Sequence, residues 1–205
     1  HGGIVGEDGS SHNALEDLSL MSTLPNLTVL VPADNIELRK MLEYAINNEG
    51  PYFIRLPRES FPLVHSDDYQ FLLGKPDILK DGTELGIIGV GYGSSLALKA
   101  SETIEKERDL SIKVINQPTL KPIEKDLFLS SIKPIEKLII IEEHNNYCGA
   151  GSILARIISE KTPKIIKSIG IGDSFGESGS REEVLKKYNL DLQNVIKKIQ
   201  NFFYQ

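Results

Sequence analysis

Short apolar segments alternate with amphipathic ones along this chain, and the alternation restricts the folds that its 205 residues can adopt. The apolar segments are rich in Val, Ile and Leu, as buried strands are; they are residues 28–31, 52–54, 85–90, 112–116, 137–141 and 165–169. Strands that alternate with helices form parallel sheets with helices packed on their faces. We therefore expect an α/β protein.

The intervening segments have helical periodicity; they are residues 14–24, 35–47, 94–106, 149–160, 181–188 and 192–203. The first follows Asn13, which has Glu16 three positions later, as in a capping box. Asp34 and Glu37 repeat that pattern before the second. The second segment also has apolar residues at helical spacing, which predict a stripe facing the core; they are Leu38, Met41, Leu42 and Ala45.

A stretch rich in proline, charge and isolated aromatic residues interrupts the alternation. Such a composition is typical of a connection between domains. We therefore divide the chain into a first unit at residues 1–62, a linker at 63–76 and a second unit at 77–205. The second unit is long enough to form a core of its own.

Charge and cysteine content exclude several classes of function. The net charge of −6 gives no electrostatic support for binding nucleic acid. No apolar run approaches the roughly 18 residues of a membrane span, and no secretory signal pattern opens the chain. Cys148 is the single cysteine, which excludes an internal disulfide and fits a reducing compartment. We expect a cytoplasmic protein that binds neither nucleic acid nor membrane.

Residues 6–12, with the sequence GEDGSSH, are called the acidic turn below. They place a carboxylate between glycines and an imidazole four positions later, after a short strand expected at Ile4 and Val5. His12 directly precedes the first expected helix, and the positive end of a helix dipole disfavours protonation of the imidazole. The alternative interpretation is an ordinary Gly/Asp/Ser turn without a function.

Ligands of open α/β sheets bind beyond the carboxyl ends of the strands. Asp8 and His12 follow one expected strand and Arg58 follows another, so we expect the three side chains to converge at one edge of the sheet. A carboxylate can bind hydroxyls, an imidazole a carbonyl or hydroxyl, and an arginine two phosphate oxygens. Together they predict a site for a sugar phosphate; the alternative for Arg58 alone is a surface arginine in a linker.

Several motifs carry a resemblance to a known family; they are residues 6–9 (GEDG), His12, residues 24–26 (LPN), residues 31–34 (VPAD), Arg58 and residues 176–179 (GESG). With them, residues 1–62 resemble the end of the pyrimidine-binding domain of transketolases, and the remainder resembles the transketolase C-terminal domain. The resemblance implies a partial parallel α/β domain followed by a three-layer α/β/α domain. It is strongest to the separate C-terminal subunit of split, archaeal-type transketolases, without its N-terminal portion.

This resemblance implies transfer of a two-carbon ketol unit between sugar phosphates with thiamine diphosphate. It implies that Asp8 contacts the hydroxyl next to the substrate carbonyl, that His12 assists proton transfer and that Arg58 holds the phosphate. His1 is the candidate for a further substrate-contacting histidine. Because the spacing from His1 to Asp8 is one residue shorter than the usual transketolase pattern, residual tag sequence is the alternative for His1.

By the same resemblance, the glutamate that protonates the pyrimidine ring would precede His1. The diphosphate and its Mg²⁺ would be held by an N-terminal diphosphate-binding domain or subunit. We therefore expect a chain that is catalytically inert alone and forms a homodimer. An incomplete first sheet would leave an unpaired strand edge or apolar face, which favours such association.

Other interpretations stay open. 1-Deoxy-D-xylulose-5-phosphate synthases share the Asp, His and Arg pattern and the shorter spacing, but typically have Ala where this chain has Glu7. Glu7 and residues 176–179 favour transketolase, and the beta subunits of 2-oxo-acid dehydrogenases match the acidic turn less well. The alternative from another class is a non-catalytic partner module that has kept a phosphate-binding crevice.

Two weaker signals have structural explanations. The glycines of residues 89–93 follow a strand, but Ser94 replaces the third glycine of a dinucleotide fingerprint, which favours a tight turn. Residues 142–144 (EEH) lack the two-histidine spacing of a zinc protease, and Cys148 is expected to be structural rather than nucleophilic.

Overall fold

The computed structural model describes residues 1–204, which form two sheets and the helices that pack on them. The strands are β1 (Thr28–Leu30), β2 (Tyr52–Ile54), β3 (Asp77–Lys80), β4 (Leu85–Gly89), β5 (Ile112–Asn116), β6 (Thr119–Lys121), β7 (Lys137–Asn145) and β8 (Ile165–Ile171). The α-helices are α1 (Asp17–Thr23), α2 (Asn35–Asn47), α3 (Tyr92–Glu107), α4 (Lys125–Ser131), α5 (Ala150–Lys161), α6 (Arg181–Lys187) and α7 (Leu192–Phe203). None of these helices has both the length and the apolar character that a membrane crossing requires.

The second unit contains a five-stranded sheet in the order β3-β5-β4-β7-β8. The last four of these strands are parallel, and β3 runs antiparallel to β5. Every residue of β4 and β5 is buried, so both faces of the sheet must be covered. Side chains such as Leu96 and Ile199, from α3 and α7, cover one face. Phe128 and Leu154, from α4 and α5, cover the other, which gives the expected three-layer α/β/α arrangement.

The first unit contains a three-stranded sheet in the order β2-β1-β6. Strands β1 and β2 are parallel, whereas β6 comes from the second unit and pairs antiparallel with β1. This strand was not expected, and it covers one edge of β1. Within the described residues, the unpaired edge on the side of the first unit is therefore formed by β2 and not by β1.

The start of the chain differs from the expectation in two ways. Ile4 and Val5 do not form a strand, because Val5 N donates to the side chain of Asn13 at 3.0 Å instead of joining a ladder. Helix α1 begins at Asp17 rather than after Asn13, and its first residue is preceded by Glu16 without a side-chain cap. The predicted capping box is wrong because the Asn13 side chain is already engaged elsewhere.

Helix α2 begins as expected, since Asp34 Oδ1 accepts from Glu37 N at 2.9 Å. The Glu37 carboxylate accepts from Ala33 N and not from Asp34 N, so the reciprocal bond of the predicted capping box is not formed. The predicted core stripe is confirmed in part: Met41 is buried and Leu38 and Ala45 are half-buried, but Leu42 is 45% exposed. No described element covers the face of α2 that carries Leu42.

Three short elements were not predicted, namely β3, β6 and α4. Strand β3 lies at a sheet edge and ends in charged residues, so it lacks the apolar signal of a buried strand. Strand β6 has only three residues between two prolines, and α4 begins without a capping side chain. Their sequences therefore carry little local evidence of regular structure.

Candidate functional site

The acidic turn consists of two short 3₁₀ helices, Gly6–Asp8 and Ser10–His12, joined at Gly9. Gly9 has a φ of 87°, a left-handed conformation that glycine adopts without a steric penalty. The turn is held by the loop before α6, because Ser10 N donates to Ser178 Oγ at 3.1 Å. The second unit thus fixes the position of the acidic turn.

Asp8 and Arg58 meet in the structure. Arg58 Nε donates to Asp8 Oδ2 at 2.8 Å; the Arg58 side chain is 53% exposed and that of Asp8 is 33% exposed. They border a cavity of about 300 Å³, called the turn cavity below; its lining residues are Val5, Glu7, Asp8, Arg58, Glu59, Ser180 and Arg181. Three carboxyl-bearing and two guanidinium-bearing residues therefore surround one small polar space near the carboxyl end of β2.

His12 and His1 do not line the turn cavity. His12 is exposed, and its Nδ1 lies 3.1 Å from Ser11 Oγ. His1 lines a different cavity of about 290 Å³, beside Phe53 and Asp17. The expected position of His12 at a helix start is wrong, because α1 begins only at Asp17. The structure brings together two of the four candidate side chains.

Arg55, three positions before Arg58, is buried and lines the cavity of His1 rather than the turn cavity. Its Nε and Nη2 donate to the two carboxylate oxygens of Asp17 at 2.8 and 2.9 Å. Nη2 also lies within hydrogen-bonding distance of Ala14 O, at 2.8 Å, and of Glu143 O, at 2.9 Å. Arg55 thus joins α1, β2 and β7 at one point.

Glu143, near the end of β7, forms the other half of this support. Its carboxylate accepts a hydrogen bond from Arg181 Nη2. Burial raises the pKa of the Glu143 carboxyl, and the nearby charges of Arg181 and Arg55 act in the opposite direction. A buried carboxylate of the second unit therefore has one arginine neighbour from the first unit, Arg55, and one from its own unit, Arg181.

Arg55, Glu143 and Arg181 were not predicted to belong to this region. Glu143 lies near the carboxyl end of a parallel strand, so the rule that selected Arg58 also applies to it. Arg55 lies in the same loop as Arg58. Arg181 is far away in sequence and had no comparable signal.

The weaker sequence signals have structural roles. A Cβ on Gly93 would lie 2.0 Å from Ile141 O, so this glycine allows α3 to approach β7 closely. His144 is fully buried, and its ring nitrogens lie near Asn145 O and Ser19 Oγ. The recorded partners of the His144 ring therefore do not include the sulfur of Cys148, which is exposed.

His65 lies in a cluster of ionisable side chains where the linker meets both units. His65 Nδ1 lies 3.0 Å from Asp34 Oδ2, and its Nε2 lies 3.1 Å from Asp77 Oδ2. Glu37 accepts from Tyr69 OH at 2.7 Å and is completely buried. Burial alone would lower the pKa of His65, but hydrogen bonds to Asp34 and Asp77 and the charge of Glu37 raise it to about 9.

We expect the free energy of unfolding to fall as the pH rises from about 6.5 to about 9. The folded pKa of His65 lies above its ordinary value of 6.5, so protonation stabilises the folded state. That contribution is complete below pH 6.5 and is lost as the pH rises through 9; a shift of this size corresponds to about 3 kcal/mol. Thermal unfolding of the wild type and of His65→Gln between pH 6 and pH 10 measures it. In the variant, the free energy of unfolding should no longer fall over this pH range. An equal fall in both proteins would contradict the raised pKa of His65.

Two family models match the chain. The pyrimidine-binding domain of transketolase matches residues 1–63, and the C-terminal domain of transketolase matches residues 74–195. The fold and these matches define a C-terminal section of a thiamine-dependent transferase family. The chain belongs to the transketolase family.

Similar proteins of known description support this assignment. A protein described as a transketolase C-terminal section, from Methanocaldococcus jannaschii, is 34% identical over 97% of this chain and 63% of its own length. A 1-deoxy-D-xylulose-5-phosphate synthase of Carboxydothermus hydrogenoformans is 38% identical over 92% of this chain and 30% of its own length. A solved split-gene transketolase, described as an inactive beta4 tetramer, has a TM-score of 0.86 and 34% identity over 95% of this chain and 63% of its own. The chain therefore spans less than two thirds of the length of these relatives.

Proposed function

We propose that this chain is the C-terminal portion of an enzyme that transfers a two-carbon ketol unit between sugar phosphates with thiamine diphosphate. The observation that supports it most is the turn cavity, which offers the carboxylate of Asp8 for hydroxyls and the guanidinium of Arg58 for phosphate. In this proposal Asp8 binds the hydroxyl next to the substrate carbonyl. The roles of His12 in proton transfer and of His1 in substrate binding rest on the family resemblance alone.

The strength of the Asp8–Arg58 ion pair is compatible with this proposal. Both partners are partly exposed, and such surface pairs contribute roughly 0–1 kcal/mol. A hydrogen bond to a charged group contributes about 1.5–3 kcal/mol, and a phosphate can accept two from one guanidinium. A sugar phosphate can therefore replace Asp8 as the partner of Arg58. Asp8 then becomes free to accept from a substrate hydroxyl.

A second candidate function is that of a 1-deoxy-D-xylulose-5-phosphate synthase. The observation in its favour is the 38% identity to such an enzyme. Glu7, which lines the turn cavity, favours transketolase by the family resemblance. The two candidates share the same Asp8 and Arg58 and differ in the donor substrate.

We propose that thiamine diphosphate and Mg²⁺ are held by another domain or subunit, as the family resemblance implies. Within residues 1–204, no three His, Cys, Asp or Glu side chains are grouped so that they could hold a metal ion. In this proposal the chain contributes Asp8 and Arg58 to substrate binding.

We further propose that the active assembly contains a diphosphate-binding subunit and two copies of this chain, and that it is cytoplasmic. Family matches that end at residue 63 and resume at 74 support a division into residues 1–62, a linker at 63–76 and residues 77–205. The exposed face of α2, with Leu42 and Ile46 at 45% and 82%, is an apolar surface available for such association.

We expect the 205-residue chain alone to show no ketol transfer, and activity to arise when a cognate diphosphate-binding subunit is added. The assay mixes both proteins with thiamine diphosphate and Mg²⁺ and follows transfer from xylulose 5-phosphate to ribose 5-phosphate. The control omits each protein in turn. Consumption of pyruvate with glyceraldehyde 3-phosphate would favour the synthase instead. Association without turnover would favour a non-catalytic module, and full activity of the chain alone would contradict the proposal.

A further inference from the structure

Arg181, the first residue of α6, connects the second unit to the acidic turn. Its Nη1 donates to Ile4 O, and its Nη2 donates to the carboxylate of Glu143. The guanidinium carbon lies 4.8 Å from the ring centroid of Tyr92 and 5.5 Å from that of Phe61. With an exposed fraction of 12%, this side chain is held by partners on several sides.

The backbone of Arg181 also contacts the acidic turn. A Cβ placed on Gly6 would lie 3.0 Å from Arg181 N, and Gly6 has a φ of 66°. The start of the turn therefore lies directly against the first residue of α6. Ser180 and Arg181 line the turn cavity together with Asp8 and Arg58. The cavity is thus shared between the two units.

We infer that Arg181 is a positioning residue for the substrate: by binding Ile4 O while it is anchored to Glu143, it holds the acidic turn so that Asp8 lies beside Arg58 on the wall of the turn cavity. This inference rests on the proposed function and adds the second unit to the substrate site. Arginine suits the role because its planar guanidinium donates hydrogen bonds in two directions and stacks on aromatic rings. A lysine ammonium has neither this fixed arrangement of donors nor a planar surface.

The first test measures kinetics of the active assembly that contains this chain. Arg181→Met should raise the KM for the sugar phosphate about ten- to hundredfold, because small displacements of binding groups have effects of this size. The kcat should change less than about threefold, since Asp8 and Arg58 bind ground state and transition state alike. Arg181→Lys should give an intermediate KM. The control is Lys186→Ala, which removes an exposed side chain of α6 and should leave both constants unchanged.

The second test uses hydrogen exchange of the 205-residue chain alone, so it does not depend on activity. In Arg181→Met, amides of residues 6–12 should exchange at least about tenfold faster than in the wild type, while those of β4 and β5 keep their protection. If Arg181→Met does not fold, Arg181→Lys takes its place in both tests. A KM within twofold of the wild type, unchanged exchange in the acidic turn, or equal acceleration in β5 would each overturn the inference. A wild-type assembly without ketol transfer would refute the proposed function, and the exchange test would still decide the role of Arg181.

Discussion

Replacement of Arg55 by methionine should lower the free energy of unfolding by about 3–5 kcal/mol, because removing one partner of a buried ion pair leaves an uncompensated charge. The Arg55 and Asp17 side chains are only 7% and 12% exposed, and two hydrogen bonds join them. The variant would also leave Ala14 O and Glu143 O without this donor. Urea unfolding of both proteins at one pH, with comparison of midpoints and slopes, measures the change.

The matched control is Lys40→Met on α2. Lys40 Nζ lies 3.1 Å from Glu43 Oε2, and the side chains of Lys40 and Glu43 are 29% and 54% exposed, respectively. Loss of such a surface pair should cost less than about 1 kcal/mol. Arg55→Lys tests geometry separately, because it keeps the charge but cannot bind both oxygens of Asp17. A loss for Arg55→Met no larger than that for Lys40→Met would show that the pair does not support the first unit.

The parallel part of the fold was predictable because its signal is local. Strands β4, β5 and β7 are largely buried and rich in Val, Ile and Leu, and parallel strands need connections that return the chain to the same sheet edge. Strand β6 was not predictable for the opposite reason. It pairs with β1, about ninety positions earlier, and three residues between prolines give no indication of that partner.

The errors at the start of the chain have one physical origin. Asn13 has the side chain of a helix cap, but Oδ1 accepts from Val5 N and Nδ2 donates to Glu177 O. Glu177 is more than 160 positions away, so a tertiary contact decides how this side chain is used. Local capping rules cannot contain that information. Consequently both the helix start and the expected place of His12 were wrong.

Asp8 and Arg58 were predicted to meet because both follow strands of the first unit, and their side chains are paired in the structure. The expected strand before Asp8 is absent. The prediction that Asp8 and Arg58 are neighbours was therefore correct, although one of the two strands on which it relied does not exist. Arg55 and Arg58 flank the same turn, and their sequence does not indicate which one is buried. Packing against Asp17 decides this, and the partner is on another element.

In the active assembly, Arg58→Met should lower kcat/KM for sugar phosphates by roughly 10- to 150-fold, because about 1.5–3 kcal/mol of charge-assisted hydrogen bonding to phosphate is lost. The change should lie mainly in KM, since the phosphate does not react. Arg58 is about half exposed and pairs only with Asp8 among the recorded ion pairs of residues 1–204, so the substitution should change stability by less than about 1 kcal/mol. Steady-state kinetics with thermal unfolding of the same samples measures both effects.

Asp8→Asn distinguishes the role of Asp8 from that of Arg58, because it keeps the shape of the Asp8 side chain and removes its charge. If Arg58 binds phosphate, this variant should bind inorganic phosphate at least as tightly as the wild type, since the competing carboxylate is gone, while ketol transfer falls. The control is Arg156→Met, which removes an exposed arginine of α5 and should change neither property. Equal losses of kcat/KM in Arg58→Met and Arg156→Met would show that the guanidinium beside Asp8 does not hold the substrate. The pair would then be a surface contact that only orders the acidic turn.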